Sequence, residues 1–319
     1  MLSIMCIMTI KHMVLSGGGP TLFQTLGILN KLYDNSYWNI KDIKSMYGTS
    51  AGAIVAATLS LGFDWEIIKD YFISRPWHSI FPINASNIFD AYTKKGIFNK
   101  DSVMKGFAPL FNAKDIPLDI SMKNYYERTN IDLYFYTIEL NEFRIIEMSH
   151  HTHPNLGLIE AIYRSCAIPI FFSPVCTSIE CFLDGGLLDN YPLHYCVKRV
   201  NETKEILGIY VRPINDSSGE DCDANKIITH ESTIIDYIDA IMNKMIRHMN
   251  NNNNDIHVPN EIRCTGRKIT LSYLQEVAGS REIRQELYDS GYKEATNYLS
   301  IVHEEKDDTS IETELQSCV

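Results

Sequence analysis

The sequence predicts an α/β fold, and three observations predict it. Met13-Val14-Leu15-Ser16 is a short apolar strand. It runs into Gly17-Gly18-Gly19-Pro20 and then a helix with Leu22, Leu26, Leu29 and Leu32 or Tyr33 at three-to-four spacing. Ile43-Lys44-Ser45-Met46-Tyr47 is a second strand segment. It turns at Gly48-Thr49-Ser50-Ala51-Gly52 into the small, apolar stretch 51–59, fit for a buried helix. Ile131 to Leu140, a turn at Asn141-Glu142 and a return over Phe143 to Met148 make a hairpin, so the sheet is antiparallel at least locally. The chain has 319 residues, 45% hydrophobic and 22% charged, enough for one large α/β domain or two smaller ones.

Charge and cysteine content narrow the function. A formal net charge of −11 gains nothing from bulk attraction to nucleic acid or anionic lipid, so no nucleic-acid partner is expected and any membrane contact would be local and apolar. The 8 cysteines contain no Cys-x-x-Cys pair and read as free thiols in a reducing compartment. Met1 to Ile10 is apolar but lacks a charged n-region, and Lys11-His12 stands where a cleavage site should be. It reads as a strand or extension and not as a signal peptide. No apolar run approaches the ~18 residues of a membrane span. The expected location is cytoplasmic, soluble or peripherally on a membrane.

The triple glycine leaves bare N–H groups at a helix N-terminus, which suits a phosphate or an oxyanion. The phosphate reading fails in detail. The third Rossmann glycine position holds Leu22, and no Gly-Lys-Ser/Thr follows. Adjacent donors for an oxyanion, or a plain tight turn, stay open. Gly48-Thr49-Ser50-Ala51-Gly52 reads Gly-x-Ser-x-Gly between strand and helix, the setting of a nucleophile elbow. There Ser50 would take a strained backbone beside a helix N-terminus, with Gly48 and Gly52 avoiding clashes. The pattern is loose enough to occur by chance. Gly62 ends the buried helix, and Asp64 caps another with Ile67, Ile68, Tyr71 and Phe72 on its apolar face.

Residues 75–118 are rich in aromatics, Pro and Asn: Trp77, Phe81, Phe89, Tyr92, Phe98, Phe107 and Phe111 either wall an acyl-chain site or fill an irregular core. His150-His151-Thr152-His153 suggests metal, but no further ligands cluster with it in the sequence, and a surface turn is preferred. Leu156 to Cys166 reads as a helix stopped by Ile168-Pro169. Phe182-Leu183 ends a strand at Asp184-Gly185-Gly186, where the aspartate is either exposed at a sheet rim for chemistry or part of an Asx turn. Ile206 to Arg212 and Ile262 to Leu271 read as strands, Thr233 to Met249 as an amphipathic helix, Asn250 to Asn254 as a solvated loop and Arg281 to Leu299 as a final helix. No internal repeat is found.

Taken jointly, these blocks resemble the patatin-like phospholipase family. The resemblance rests on Ser16-Gly17-Gly18-Gly19, Gly48-Thr49-Ser50-Ala51-Gly52, Ser165-Cys166-Ala167-Ile168-Pro169 with Phe172 and Pro174, and Asp184-Gly185-Gly186 with Asn190 and Pro192. It implies a three-layer α/β/α fold with a central, mostly parallel sheet. It implies a serine–aspartate dyad, with Ser50 the nucleophile, Asp184 the general base and the N–H groups of Gly17, Gly18 and Gly19 as oxyanion hole. No metal or cofactor is implied. The reaction would be hydrolysis of acyl-lipid esters, of phospholipase A or lysophospholipase type, through an acyl-serine. Alternatives are an acyltransferase on the same dyad and a catalytically weak lipid-binding or host-interaction protein. The implied domains are 12–197 (catalytic), 198–303 (an α/β extension packing on it) and 304–319 (a flexible acidic tail). The chain departs from the family at Thr21-Leu22, where a basic residue and glycine are usual. The Asn- and Ile-rich composition suggests an AT-rich genome, such as that of a large DNA virus. A carboxyl near its ordinary value of ~3.9 is a weak base, so the dyad reading requires Asp184 to be little exposed.

Overall fold

The computed structural model describes residues 9–82, 91, 93–214, 256–267 and 269–317, with Thr229, Ser232, Ala240 and Lys244. In chain order its elements are β1 (His12–Leu15), α1 (Leu22–Asp34), β2 (Ser45–Thr49), α2 (Ala51–Ser60), α3 (Trp65–Ser74), β3 (Gly96–Phe98), α4 (Lys100–Ala113), α5 (Met122–Thr129), β4 (Asp132–Glu139) and β5 (Arg144–Met148). There follow α6 (Leu158–Ser165), β6 (Ile170–Phe172), β7 (Val175–Cys176), β8 (Cys181–Asp184), α7 (Leu193–Arg199), β9 (Ile206–Ile214), β10 (Asn260–Arg267), α8 (Leu271–Gly279) and α9 (Arg281–Ser317).

β10, β9, β1, β2 and β4 lie side by side and parallel. β5 and β8 pair antiparallel with β4, and β7 pairs antiparallel with β8. The central strands are apolar on both faces, as strands covered on both sides must be. Met13, Leu15, Met46, Leu133 and Phe135 join the main core with the apolar sides of α1 and α2. The alternate residues Val14, Tyr47, Tyr134 and Tyr136 face the other way, against Leu193 and Cys196 of α7. Helices therefore flank a mostly parallel sheet, as expected.

The expected extension over 198–303 meets the rest edge to edge, since β9 pairs with β1 and β10 with β9. α9 lies against α1 with almost no gap: a Cβ on Gly27 would stand 2.0 Å from the Tyr288 carbonyl oxygen, and one on Gly291 2.0 Å from that of Gln24.

Several expectations are corrected. The final helix, expected to close at Leu299, continues to Ser317. No Gly or Pro interrupts residues 292–317, and Glu and Lys are good helix formers. Leu271 opens α8 instead of closing a strand. Ile67 is 48% exposed, and Ile73 joins Ile68 and Phe72 in the core in its place. Within 75–118, read as irregular, Lys100–Ala113 is a helix despite Pro109. The side chain of Asn99 caps it by accepting the Asp101 N–H. Cys176 and Cys181 are not free thiols: they face each other across the β7–β8 pair and are disulfide-bonded, whereas Cys166, Cys196 and Cys264 are free and buried. Phe89, Tyr92, the loop 250–254 and nearly all of the helix expected over 233–249 lie outside the described residues.

Candidate active site

β4 brings the site together. β5 pairs along Phe135–Glu139 and takes one edge of the strand. On the other edge β2 climbs to Thr49, opposite Tyr136, and β8 descends to Asp184, opposite Thr137. The two strands meet almost end to end, and the residue just beyond Thr49 is Ser50.

Ser50 has φ 53° and ψ −119°, a region that costs a non-glycine residue roughly 1–3 kcal/mol. The turn is sharp enough that a Cβ on Gly48 would stand 2.6 Å from the Gly52 carbonyl oxygen, and one on Gly52 2.2 Å from that of Leu15. Both glycines are therefore required by close approach. The strained turn is tied from below: the Ser50 N–H donates to Ser165 Oγ at 2.9 Å, and Ser165 Oγ–H donates to the Tyr136 carbonyl at 2.7 Å.

Ser50 Oγ–H donates to Asp184 Oδ2 at 2.6 Å, and the Gly186 N–H donates to Asp184 Oδ1 at 2.7 Å. Asp184 is 2% exposed, which meets the requirement drawn from the sequence. Burial pushes its carboxyl up to about 7, against the opposing pull of the Ser50 and Gly186 hydrogen bonds. Among the described residues no histidine hydrogen-bonds to either group. Cys166 packs against the pair, and burial together with the Asp184 charge pushes its thiol well up, so it is present as a neutral thiol.

The triple glycine lies beside them. Gly17 does not offer its N–H to the site, a correction to the expectation of three donors: it donates to the Asn190 carbonyl at 3.0 Å. Asn190 Nδ2 donates back to the Gly17 carbonyl at 3.2 Å, which ties the glycine loop to the loop that follows Asp184. Gly18 and Gly19 have φ 153° and 57°, values that favour glycine, and among the described residues their N–H groups have no backbone partner. Thr21 is buried under this loop, since a Cβ on Gly18 would meet its Oγ1 at 2.2 Å and one on Gly266 of β10 would meet its Cγ2 at 2.6 Å. Space for a longer basic side chain is thus taken up, and the neighbouring Leu22 turns to a cavity.

That cavity, of about 180 Å³, opens on Ser50 and is almost wholly apolar. Leu22, Trp77, Phe81, Phe98, Phe107 and Phe172 are in its wall. The aromatics of 75–118 therefore divide: Trp77, Phe81, Phe98 and Phe107 line the cavity, and Phe111 fills the core. Ser165 and Asn190, placed by sequence only within motif blocks, hold the Ser50 turn and join the two loops. His150 and His151 lie elsewhere, at the N-terminal end of β4, and take no part in this site.

The pattern described as Patatin-like phospholipase matches residues 13–197. The chain belongs to the patatin-like phospholipase family. Among its relatives, the "Probable lipid hydrolase 463L" of Invertebrate iridescent virus 6 is 27% identical over 196 residues, which are 60% of this chain and 65% of that protein. The protein R571 of Acanthamoeba polyphaga mimivirus is 26% identical over 185 residues, 58% of this chain and 60% of that one. The chain thus spans a little under two thirds of the length of either viral relative. Among solved structures, VipD from Legionella pneumophila aligns over 88% of this chain and 67% of its own, with a TM-score of 0.45 and 17% identity.

Proposed function

We propose that this member of the family is a lipid acyl hydrolase of phospholipase A or lysophospholipase type, with Ser50 as nucleophile and Asp184 as its general base. The observation that carries the reading is the 2.6 Å hydrogen bond from Ser50 Oγ to a buried carboxylate beside an apolar cavity. The cavity is suited to an acyl chain and the dyad to its ester.

Asp184 Oδ2 takes the hydroxyl proton as Ser50 Oγ bonds to the ester carbonyl carbon, and the carbonyl oxygen becomes an oxyanion. The N–H groups of Gly18 and Gly19 are the donors for that charge, each such donor being worth roughly 10²–10³ in rate. Asp184 then returns the proton to the departing alkoxide, which leaves an acyl-serine. Water enters, Asp184 takes a proton from it, and the hydroxide displaces Ser50 Oγ. The serine recovers the proton, and a fatty acid is released. The raised carboxyl makes Asp184 a stronger base than an exposed aspartate.

The test is incubation of the wild-type protein and Ser50→Ala with mixed phospholipid vesicles, the products identified by mass. Fatty acid and lysolipid released by the wild type alone support the reading and name the bond cut. Equal release by Ser50→Ala moves the nucleophile elsewhere. Repeating the assay with an added alcohol acceptor separates hydrolysis from acyl transfer.

A further inference from the structure

At the end of β4 opposite to the dyad, a second group of side chains has chemistry that the hydrolase site does not use. Asp132 opens β4, and His150 and His151 stand in the turn that leaves β5. His150 Nδ1 is 3.2 Å from Asp132 Oδ1, and His151 Nε2 is also 3.2 Å from that oxygen. All three ligand atoms lie within 4.8 Å of one another.

These distances would suit hydrogen bonds, but the directions do not. Asp132 Oδ1 and His150 Nδ1 are both buried, and among the described residues neither has a hydrogen-bond partner. The groups are close without being aimed at each other. Buried polar atoms in that state destabilise the fold unless something else satisfies them. A cation bound between them would do so. Ligands of a tetrahedral zinc ion stand 2.0–2.2 Å from the metal, so they lie about 3.4 Å apart and direct their lone pairs to a shared centre. Two of the three separations here are 3.2 Å.

We propose that Asp132 Oδ, His150 Nδ1 and His151 Nε2 form a binding site for a zinc ion, with water completing the shell. Two imidazoles and a carboxylate are a borderline donor set that suits Zn²⁺ better than Mg²⁺ or Ca²⁺. The frame around the cluster is in place. The ring of His150 stacks on Tyr126 of α5 at 3.8 Å between centroids, with 5° between the planes. The Asp132 N–H donates to the Lys44 carbonyl at 2.9 Å. His151 is more than half exposed, so its ring can turn to complete the geometry.

The site is structural. Asp132 is opposite Ser45 and Tyr136 is opposite Thr49, so along β4 the metal would be roughly 13 Å from the level of the nucleophile turn. It would tie the start of β4 to the segment leaving β5 and, through Tyr126, to α5.

The test uses the full-length protein, stripped with chelator and dialysed, and needs no lipid. Zn²⁺ is titrated calorimetrically into the wild type, His151→Ala and Asp132→Asn, and melting is followed with and without the metal. The expected result is one Zn²⁺ per chain, a melting temperature raised by the metal in the wild type alone, and affinity lost roughly tenfold or more in either variant. Co²⁺ in place of Zn²⁺ should give the visible absorption of a tetrahedral N/O site. A wild type that takes up no Zn²⁺, or a His151→Ala variant that binds it as the wild type does, overturns the proposal. Should Asp132→Asn fail to fold, His151→Ala decides alone, because its side chain is largely in solvent.

Discussion

Near each end of β4 stands a carboxylate with an oxygen that the fold has drawn out of water, and the two are in opposite condition. Asp184, beside Thr137, has a partner on each oxygen: Ser50 on Oδ2 and Gly186 on Oδ1. Asp132, at the start of the strand, has Oδ1 buried with two imidazoles at hydrogen-bond distance and a hydrogen bond to neither. A carboxylate that is satisfied by a hydroxyl and a backbone N–H is set up to exchange one proton with that hydroxyl. A carboxylate crowded by unaligned nitrogens is set up to share a cation with them. The difference lies in direction more than in distance, and the two proposed roles, proton transfer at one end of the strand and ligation at the other, rest on it.

Disabling each end of β4 in turn tests this division most severely. Asp184→Asn should keep the fold, read by circular dichroism, and lower ester turnover by at least roughly 10³-fold, because an amide cannot take the serine proton. Near wild-type turnover would break the dyad. At the other end, His151→Ala should leave turnover within about twofold while it loses zinc. A parallel collapse of activity would mean that the two ends of β4 are coupled.

The support beneath the serine comes next. Ser165→Ala removes the acceptor of the Ser50 N–H and the donor to the Tyr136 carbonyl, both buried. We expect a stability loss of about 1–3 kcal/mol by denaturant titration. Turnover should fall by roughly one to two orders of magnitude, since a misplaced nucleophile costs rate out of proportion to distance. Loss of stability with unchanged kcat would make Ser165 a prop for the fold and not for the nucleophile.

The contrast between the two ends also explains what the sequence made legible. The dyad end is written in contiguous blocks, because a strained turn and a close backbone approach need glycine at fixed offsets: Gly48 and Gly52 around Ser50, and the glycines after Ser16 and Asp184. The continuous apolar runs Met13-Val14-Leu15 and Met46-Tyr47 likewise mark strands covered on both faces. Gly17 could not be told from Gly18 and Gly19, because its N–H is consumed by Asn190, a partner far away in the chain. The His150-His151 end was only half legible: the histidine run suggested metal, but its third candidate ligand, Asp132, lies 18 residues earlier in the chain. His150-His151 reads as a polar turn until the strand register places Asp132 beside it. Helix α4 was hidden by Pro109 within a stretch whose aromatic content suggested irregular structure. The Cys176–Cys181 bridge was hidden because two thiols without a motif say nothing of a hairpin.

Proton dependence separates the two carboxylates further. In the proposed mechanism Asp184, with its carboxyl at about 7, is protonated and idle below that pH, so kcat/KM should fall about tenfold per unit as the pH drops below 7 and level off above it. The profile should be the same with and without Zn²⁺. A plateau that extends to pH 5 would show that Asp184 is not the base.

The smallest effect concerns stability. An aspartate in the unfolded chain loses its proton near 3.8, whereas Asp184 in the fold keeps it to about 7. Between those values the folded state binds more protons than the unfolded one. Its contribution is therefore fully present below about 3.8 and is lost as pH rises through the window towards 7. The amide introduced by Asp184→Asn does not titrate. That variant also loses one of the two acceptors that serve Ser50 and Gly186, but this cost is the same at every pH. The melting temperature of Asp184→Asn minus that of the wild type should therefore rise by a few degrees between pH 5 and pH 8, nearly all of it below pH 7, the two units from pH 5 to pH 7 being worth about 2–3 kcal/mol. Asp189, buried and likewise pushed up to about 7, is present in both proteins and cancels in the difference. A difference that stays flat with pH would mean that Asp184 is already ionised in the fold at pH 5. The buried carboxylate would then owe its place to the Ser50 and Gly186 hydrogen bonds alone, and its basicity would have to come from the substrate's own displacement of water.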